Sequence, residues 1–142
     1  MSVMNKKLKI VVVGRYQEKT YVESKILNDI IPECLEKFKD CRRSDIMFCI
    51  SSYFSGVGPI VKNFCKENQF PIKEFKIDWS KGRGGLVDTN DIMLEFSRTD
   101  HRTVIVAFYN GYGADQNIMA KASLLAREFP DEILVKDYRV RC

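Results

Sequence analysis

Val104-Ile105-Val106-Ala107-Phe108 is apolar at every position. A strand with one wet face alternates apolar and polar residues, whereas a strand covered on both faces is free of that alternation. The run therefore predicts an interior strand of a sheet with a layer packed on each side. Leu8 to Val13 (LKIVVV) has nearly the same character. Each run leads into a glycine turn, Gly14-Arg15 after the first and Asn110-Gly111-Tyr112-Gly113 after the later one. Beyond that later turn, Ile118, Met119, Ala122 and Leu125 fall near helical spacing. Strand, glycine turn and helix in succession aim backbone N–H groups and a positive helix end at an anion.

The intervening chain repeats this alternation. Thr20 is expected to cap a helix with Glu23 at the capping-box position, and Val22, Ile26, Ile30, Cys34 and Phe38 recur every four residues. Pro32 inside that pattern predicts a kink or break. Asp45 to Ile50 reads as a second strand, and Ser51 to Gly58 as a turn into a helix with Pro59 in its first turn. A short strand places Phe75 and Ile77 on one face, and Asp78 to Gly85 reads as a glycine-rich loop. Asp88 or Thr89 is expected to cap a helix carrying Ile92, Met93 and Phe96. Ile133 to Val135 predicts a last strand, followed by a charged tail from Asp137. Alternating strands and helices imply an α/β sandwich with a mostly parallel sheet of about five strands. A chain of 142 residues suits a single domain, residues 1–142, with its core over about 8–135.

Composition narrows the function classes. A net charge of +4 is spread along the chain, which argues against nucleic acid as a partner. No run is long enough to span a membrane. Five cysteines, an odd number without a CxxC pair, fit reduced thiols, and Cys34, Cys49 and Cys65 lie on apolar faces. Met1 to Lys9 is too polar for a signal peptide, so a reducing cytoplasm is the expected compartment. The cysteines lack ligand spacing and no carboxylate cluster suits a hard cation, so no metal and no cofactor is expected.

Ligands of parallel sheets bind beyond the strand carboxyl ends, where the strand order reverses. With the first strand central and the fourth beside it, Gly14-Arg15 and Asn110 to Gly113 would form one crevice. Arg15 would offer its guanidinium to a phosphate or carboxylate there, and Ser51, Ser52 and Ser55 close the second strand. Turn serines serve the backbone equally well. His101 precedes the fourth strand, at the opposite end of the sheet, and is read as structural or solvated. The loop residues Lys81, Arg83, Asp88 and Asn90 would fold over an anion or remain surface, with Trp79 anchoring the loop root. No nucleophile–base pair can be assembled. Asp115 is the best-placed acid, at a helix start where a carboxylate is also favoured by the dipole.

These segments together resemble the YspA-like, YpsA-related branch of the SLOG superfamily of Rossmann-like proteins, relatives of the Lonely Guy phosphoribohydrolases and DNA-processing protein A. The resemblance rests on Val13-Gly14-Arg15, on Asp78-Trp79 with Gly82-Arg83-Gly84-Gly85 and Thr89-Asn90, and on Phe108 to Gly113. It implies a Rossmann-like three-layer sandwich, often oligomeric, that binds a nucleotide or nucleotide-derived molecule. Gly14, Gly111 and Gly113 would admit phosphate or ribose to the backbone, Arg15 would supply charge, and Ser51, Ser52 and Asn90 lateral hydrogen bonds. Asn110, Tyr112 and Ala114 complete the last turn, where Asn110 replaces the family's first glycine and Ala114 its usual threonine. The family's Gly-Gly-Ala-Arg-Gly-Ala-Asp after the second strand is here Ser52-Tyr53-Phe54-Ser55-Gly56-Val57-Gly58. Where Lonely Guy enzymes carry a catalytic glutamate this chain has Asn117, and an amide neither accepts a proton nor stabilises an oxocarbenium ion as a carboxylate does. The expectation is a non-catalytic sensor or sequestering protein for a nucleotide-like molecule, a homo-oligomer in the cytoplasm, or in the host cytoplasm if phage-encoded. Two alternatives stand beside it. One is a nucleoside monophosphate phosphoribohydrolase or N-glycosidase-like hydrolase using Asp115. The other is an interaction protein whose pocket is blocked by Tyr53, Phe54 or Tyr112.

Overall fold

A computed structural model describes residues 7–52, 56–100, 102–109 and 116–139. Five strands, β1 (Leu8–Val13), β2 (Ile46–Ser51), β3 (Ile72–Phe75), β4 (Thr103–Tyr109) and β5 (Ile133–Arg139), form one sheet in the order β3-β2-β1-β4-β5. Every pairing is parallel. Helices alternate with them: α1 (Lys19–Lys25) and α2 (Ile31–Lys37), then α3 (Val57–Asn68), α4 (Arg83–Ser97) and α5 (Gln116–Glu128).

The two central strands bury both faces, as their unbroken apolar runs require. Ile10, Val12, Val104, Val106 and Phe108 point into a core with Val22, Ile26, Val61 and Phe64. Their neighbours Val11, Val13, Ile105 and Ala107 point the other way, onto Met93, Leu94, Ile118 and Ala122. Period-two alternation thus feeds two separate cores. The helices α1 to α3 cover one face and α4 with α5 the other, a Rossmann-like three-layer sandwich. Cys34, Cys49 and Cys65 are buried, free thiols within these cores.

Several boundaries differ from the sequence reading. Glu18, not Thr20, caps α1, its carboxylate accepting from the Thr20 amide at 3.0 Å. Ahead of Pro32 the helix is interrupted by a π-helical turn, Ile26–Ile30, which joins α1 to α2. Proline has no N–H for the carbonyl four residues back and its ring crowds that carbonyl. The wider bond from Ile31 N–H to Ile26 O absorbs the mismatch. β2 starts at Ile46, because Asp45 turns back to accept from the Arg42 amide at 2.8 Å. β3 ends at Phe75, leaving buried Ile77 outside the strand.

Two corrections are larger. The supposed glycine loop is the start of α4, which begins at Arg83, so Asp88, Thr89 and Asn90 lie inside the helix instead of capping it. Asp78 caps a short 3-10 turn, Trp79–Lys81, just before it. Gly85 packs so closely on Asp78 that a Cβ would sit 2.9 Å from its carbonyl carbon. Glycine here serves close packing of a helix start, not loop freedom. The second correction is β5, which runs to Arg139 through residues read as a tail. Lys136 explains the extension: it pairs with Glu33 and, at 3.3 Å, with Asp29, while Tyr138 stacks on Phe108 at 5.0 Å.

Candidate functional site

The sheet order places the reversal of connection between β1 and β4. From β1 the chain crosses to β2 and β3 on one side, then passes under α4 to β4 and β5 on the other. Such a switch point leaves a crevice at the carboxyl ends because neighbouring connections leave in opposite directions. Register puts Val13 beside Ala107, so the turn after β1 and the end of β4 are adjacent.

Gly14 makes that junction. Its φ of +131° is open to glycine and costly to other residues. A Cβ would stand 2.7 Å from the Phe108 carbonyl carbon and closer still to its oxygen. On its other side the Gly14 carbonyl accepts from the Val57 amide at 3.1 Å. Gly56, with φ +81°, has no room for a side chain either, since a Cβ would lie 3.0 Å from the Arg15 Cα. Three elements, β1, β4 and the start of α3, therefore meet backbone to backbone at Gly14. Arg15, directly after this junction, is exposed.

The packing also decides which helix end can receive an anion. The Val57 amide is already used by Gly14, and Pro59 has no N–H. Gly56, Val57 and Gly58 are buried, so the first turn of α3 offers an anion little. The start of α5 is different: it follows β4 and turns its positive end toward the same sheet edge as Arg15. Asn117 lies in that first turn.

Ser51 is the half-buried last residue of β2. The Ser52 hydroxyl accepts from the Ile77 amide at 3.0 Å, and the Ser52 amide donates to Phe75 O at 2.8 Å, tying β2 to the segment after β3. Asn90 is 5% exposed, roughly 10 Å along the axis from the start of α4, between the helix and the sheet. The structure brings Gly14, Arg15, Ser51 and Ser52 to one edge, and sets Asn90 back from it. Asn110, Gly111, Tyr112, Gly113, Ala114 and the acid Asp115 lie outside the described residues, as do Tyr53, Phe54, Ser55 and His101.

Sequence reading missed an aromatic wall beside this edge. The Tyr16 amide donates to Phe108 O at 3.4 Å, and its ring meets Tyr21 edge-on with centroids 5.4 Å apart. Tyr21 in turn meets Phe108 edge-on at 6.3 Å, and Tyr138 stacks on Phe108. The tyrosine directly after Gly14-Arg15 was the available signal. Trp79, half exposed, stands after β3 at this same end of the sheet.

Electrostatics on the described part of this edge are mild. Asp78 is held below the ordinary carboxylate range, first by the Ser80 hydroxyl and then by the Ser80 amide. Among the described residues no group of three or more metal-ligating side chains gathers. Nor is any described helix long and apolar enough to cross a membrane. No family model, curated protein or solved structure matches this chain.

Proposed function

We propose that this protein binds a nucleotide or nucleotide-derived small molecule, without turnover, in the crevice at the carboxyl ends of β1 and β4. The observation that carries this reading is Gly14, held against the Phe108 carbonyl at the switch point with Arg15 exposed beside it. A close-packed glycine at a switch point holds the end of β4 against the turn after β1, and the adjacent guanidinium would supply bidentate charge for phosphate at that junction. Tyr16 offers an aromatic surface at the same place for a base. Asn117 at the start of α5 argues for binding over hydrolysis, since it has no proton to exchange near neutrality. This reading keeps the SLOG-type relationship as the proposed ancestry.

The test is a panel of nucleoside mono-, di- and triphosphates, cyclic dinucleotides and ADP-ribose derivatives at millimolar concentration, read by melting temperature and calorimetry. At least one class should raise the Tm, with substrate recovered intact by chromatography. Arg15→Ala should weaken that ligand about 10- to 100-fold, the range of one or two charge-assisted hydrogen bonds. Silence across the whole panel would overturn the reading, and free base in the chromatogram would replace binding by hydrolysis.

A further inference from the structure

The single tryptophan of the chain, Trp79, is 50% exposed. An indole is large and mostly covered in folded proteins, so one left half in water is informative. It stands at the carboxyl edge of the sheet, the edge that carries Arg15, but beyond β3. Val11 is level with Cys49 and Ser51 with Phe75, so Gly14, Ser52 and Lys76 lie level where β1, β2 and β3 end. Two strand spacings, about 10 Å, therefore separate the strand leading to Arg15 from the strand leading to Trp79. Tyr16 lies on the opposite side of Arg15, toward β4, and is the less open aromatic surface, half-buried and edge-on to Tyr21.

The backbone beneath the indole is fixed on both sides. Before it, Ile77 is buried and its amide donates to the Ser52 hydroxyl at 3.0 Å. Around it, the Ser80 amide donates to the Asp78 carboxylate at 3.1 Å, and the Gly82 amide to Trp79 O at 3.0 Å. After it, Gly85 closes on the Asp78 carbonyl with no room for a β-carbon. None of these bonds uses the indole ring, so the turn keeps its shape whatever covers that ring. A ring with two torsions on a fixed backbone loses little freedom when a flat partner stacks on it. Of the described charges on this turn, Lys76 and Lys81 are offset by Asp78 and by Asp88, which pairs with Lys81 at 3.3 Å. This end of the edge therefore favours a flat ring, and the Arg15 end favours an anion.

We infer that Trp79 is the stacking residue for a base of the bound molecule, whose phosphate lies at Arg15 and whose sugar spans the end of β2. The inference rests on the nucleotide reading of the crevice and adds to it which residue selects for the base.

Tryptophan fluorescence of the full chain tests this, because the only indole is the one in question. Excitation at the red edge of the indole band avoids absorption by the bases. The nucleotide that raises the Tm most should quench the emission with the same Kd that calorimetry gives. Ribose 5-phosphate, which has no base, should leave the emission unchanged. Trp79→Ala should weaken the nucleotide at least about tenfold, the range of one base–aromatic stack, and Trp79→Phe should recover most of the loss. Both variants should keep the wild-type Tm without ligand, since the bonds that brace the turn are untouched. A nucleotide that stabilises wild type and Trp79→Ala equally, with no change in emission, overturns this inference and leaves binding in the crevice standing. So does an affinity that falls with Tyr16→Ala but not with Trp79→Ala. Silence of every nucleotide in the Tm panel overturns both readings.

Discussion

At Gly14 the backbone turns with φ +131° against the Phe108 carbonyl, and no β-carbon fits. Gly14→Ala should therefore cost about 2–4 kcal/mol, combining an unfavourable φ with a steric clash that β4 cannot relieve. Urea denaturation measures it, and an unchanged midpoint would mean the junction rearranges without penalty. Asp29 gives a second residue-scale test. The Tyr138 hydroxyl, and after it Lys136, hold its carboxyl below the ordinary value of 3.8 against some desolvation. A lowered folded pKa adds stability above the unfolded value, and that stability is lost as pH falls through the folded one. Tyr138→Phe should thus cost about 1 kcal/mol at pH 7, a modest figure because Asp29 is well exposed. The gap from wild type should shrink as pH falls below the ordinary carboxylate value of 3.8. The buried thiols make a third. Desolvation pushes Cys34, Cys49 and Cys65 up to about 12, so at pH 8 they should resist alkylation until the chain unfolds.

At the scale of elements, the start of α4 shows how two adjacent glycines differ. Nothing lies within 4 Å of a Cβ at Gly84, whereas one at Gly85 would press on Asp78. Gly84→Ala should stabilise by about 0.5–1 kcal/mol through helix propensity and reduced unfolded-state freedom. Gly85→Ala should destabilise instead, and the opposite signs of the two Tm shifts are the check. A glycine-rich stretch reads as a loop because glycine is a poor helix former. Here α4 tolerates three glycines near its start because Met93 and Leu94 bury against the sheet further along. The π-turn before Pro32 is similar: local chemistry announces a disturbance, and the buried side chains of Ile26 and Ile30 decide that the helix continues through it.

For the whole molecule, the length of β5 matters most. Residues read as a charged tail pair with β4 as far as Tyr109 and Arg139, and Tyr138 covers Phe108 beside the crevice. Ending the chain after Val135 should cost about 3–5 kcal/mol, from lost ladder bonds, the aromatic stack and the Lys136 pairs. Equilibrium unfolding of the truncated chain tests this, and full stability would return these residues to the status of a tail. Nucleotide binding, if the crevice serves it, should fall as well, because the Phe108–Tyr138 stack supports Tyr21 and Tyr16.

By itself the sequence determined the fold class. Unbroken apolar runs at 8–13 and 104–108, separated by helical spacing, leave few solutions besides a parallel sheet covered on both sides. It also marked Gly14 and Arg15, because a glycine after a buried strand is a local signal. Only the tertiary structure decided that Phe108 is what Gly14 packs against, that Val57 uses up the Gly14 carbonyl, that Asn90 is enclosed beneath α4, and that Lys136 and Tyr138 belong to a strand. Those facts depend on partners far apart in the chain. Patterns of a few residues report how a segment prefers to fold, but not which distant segment it will meet.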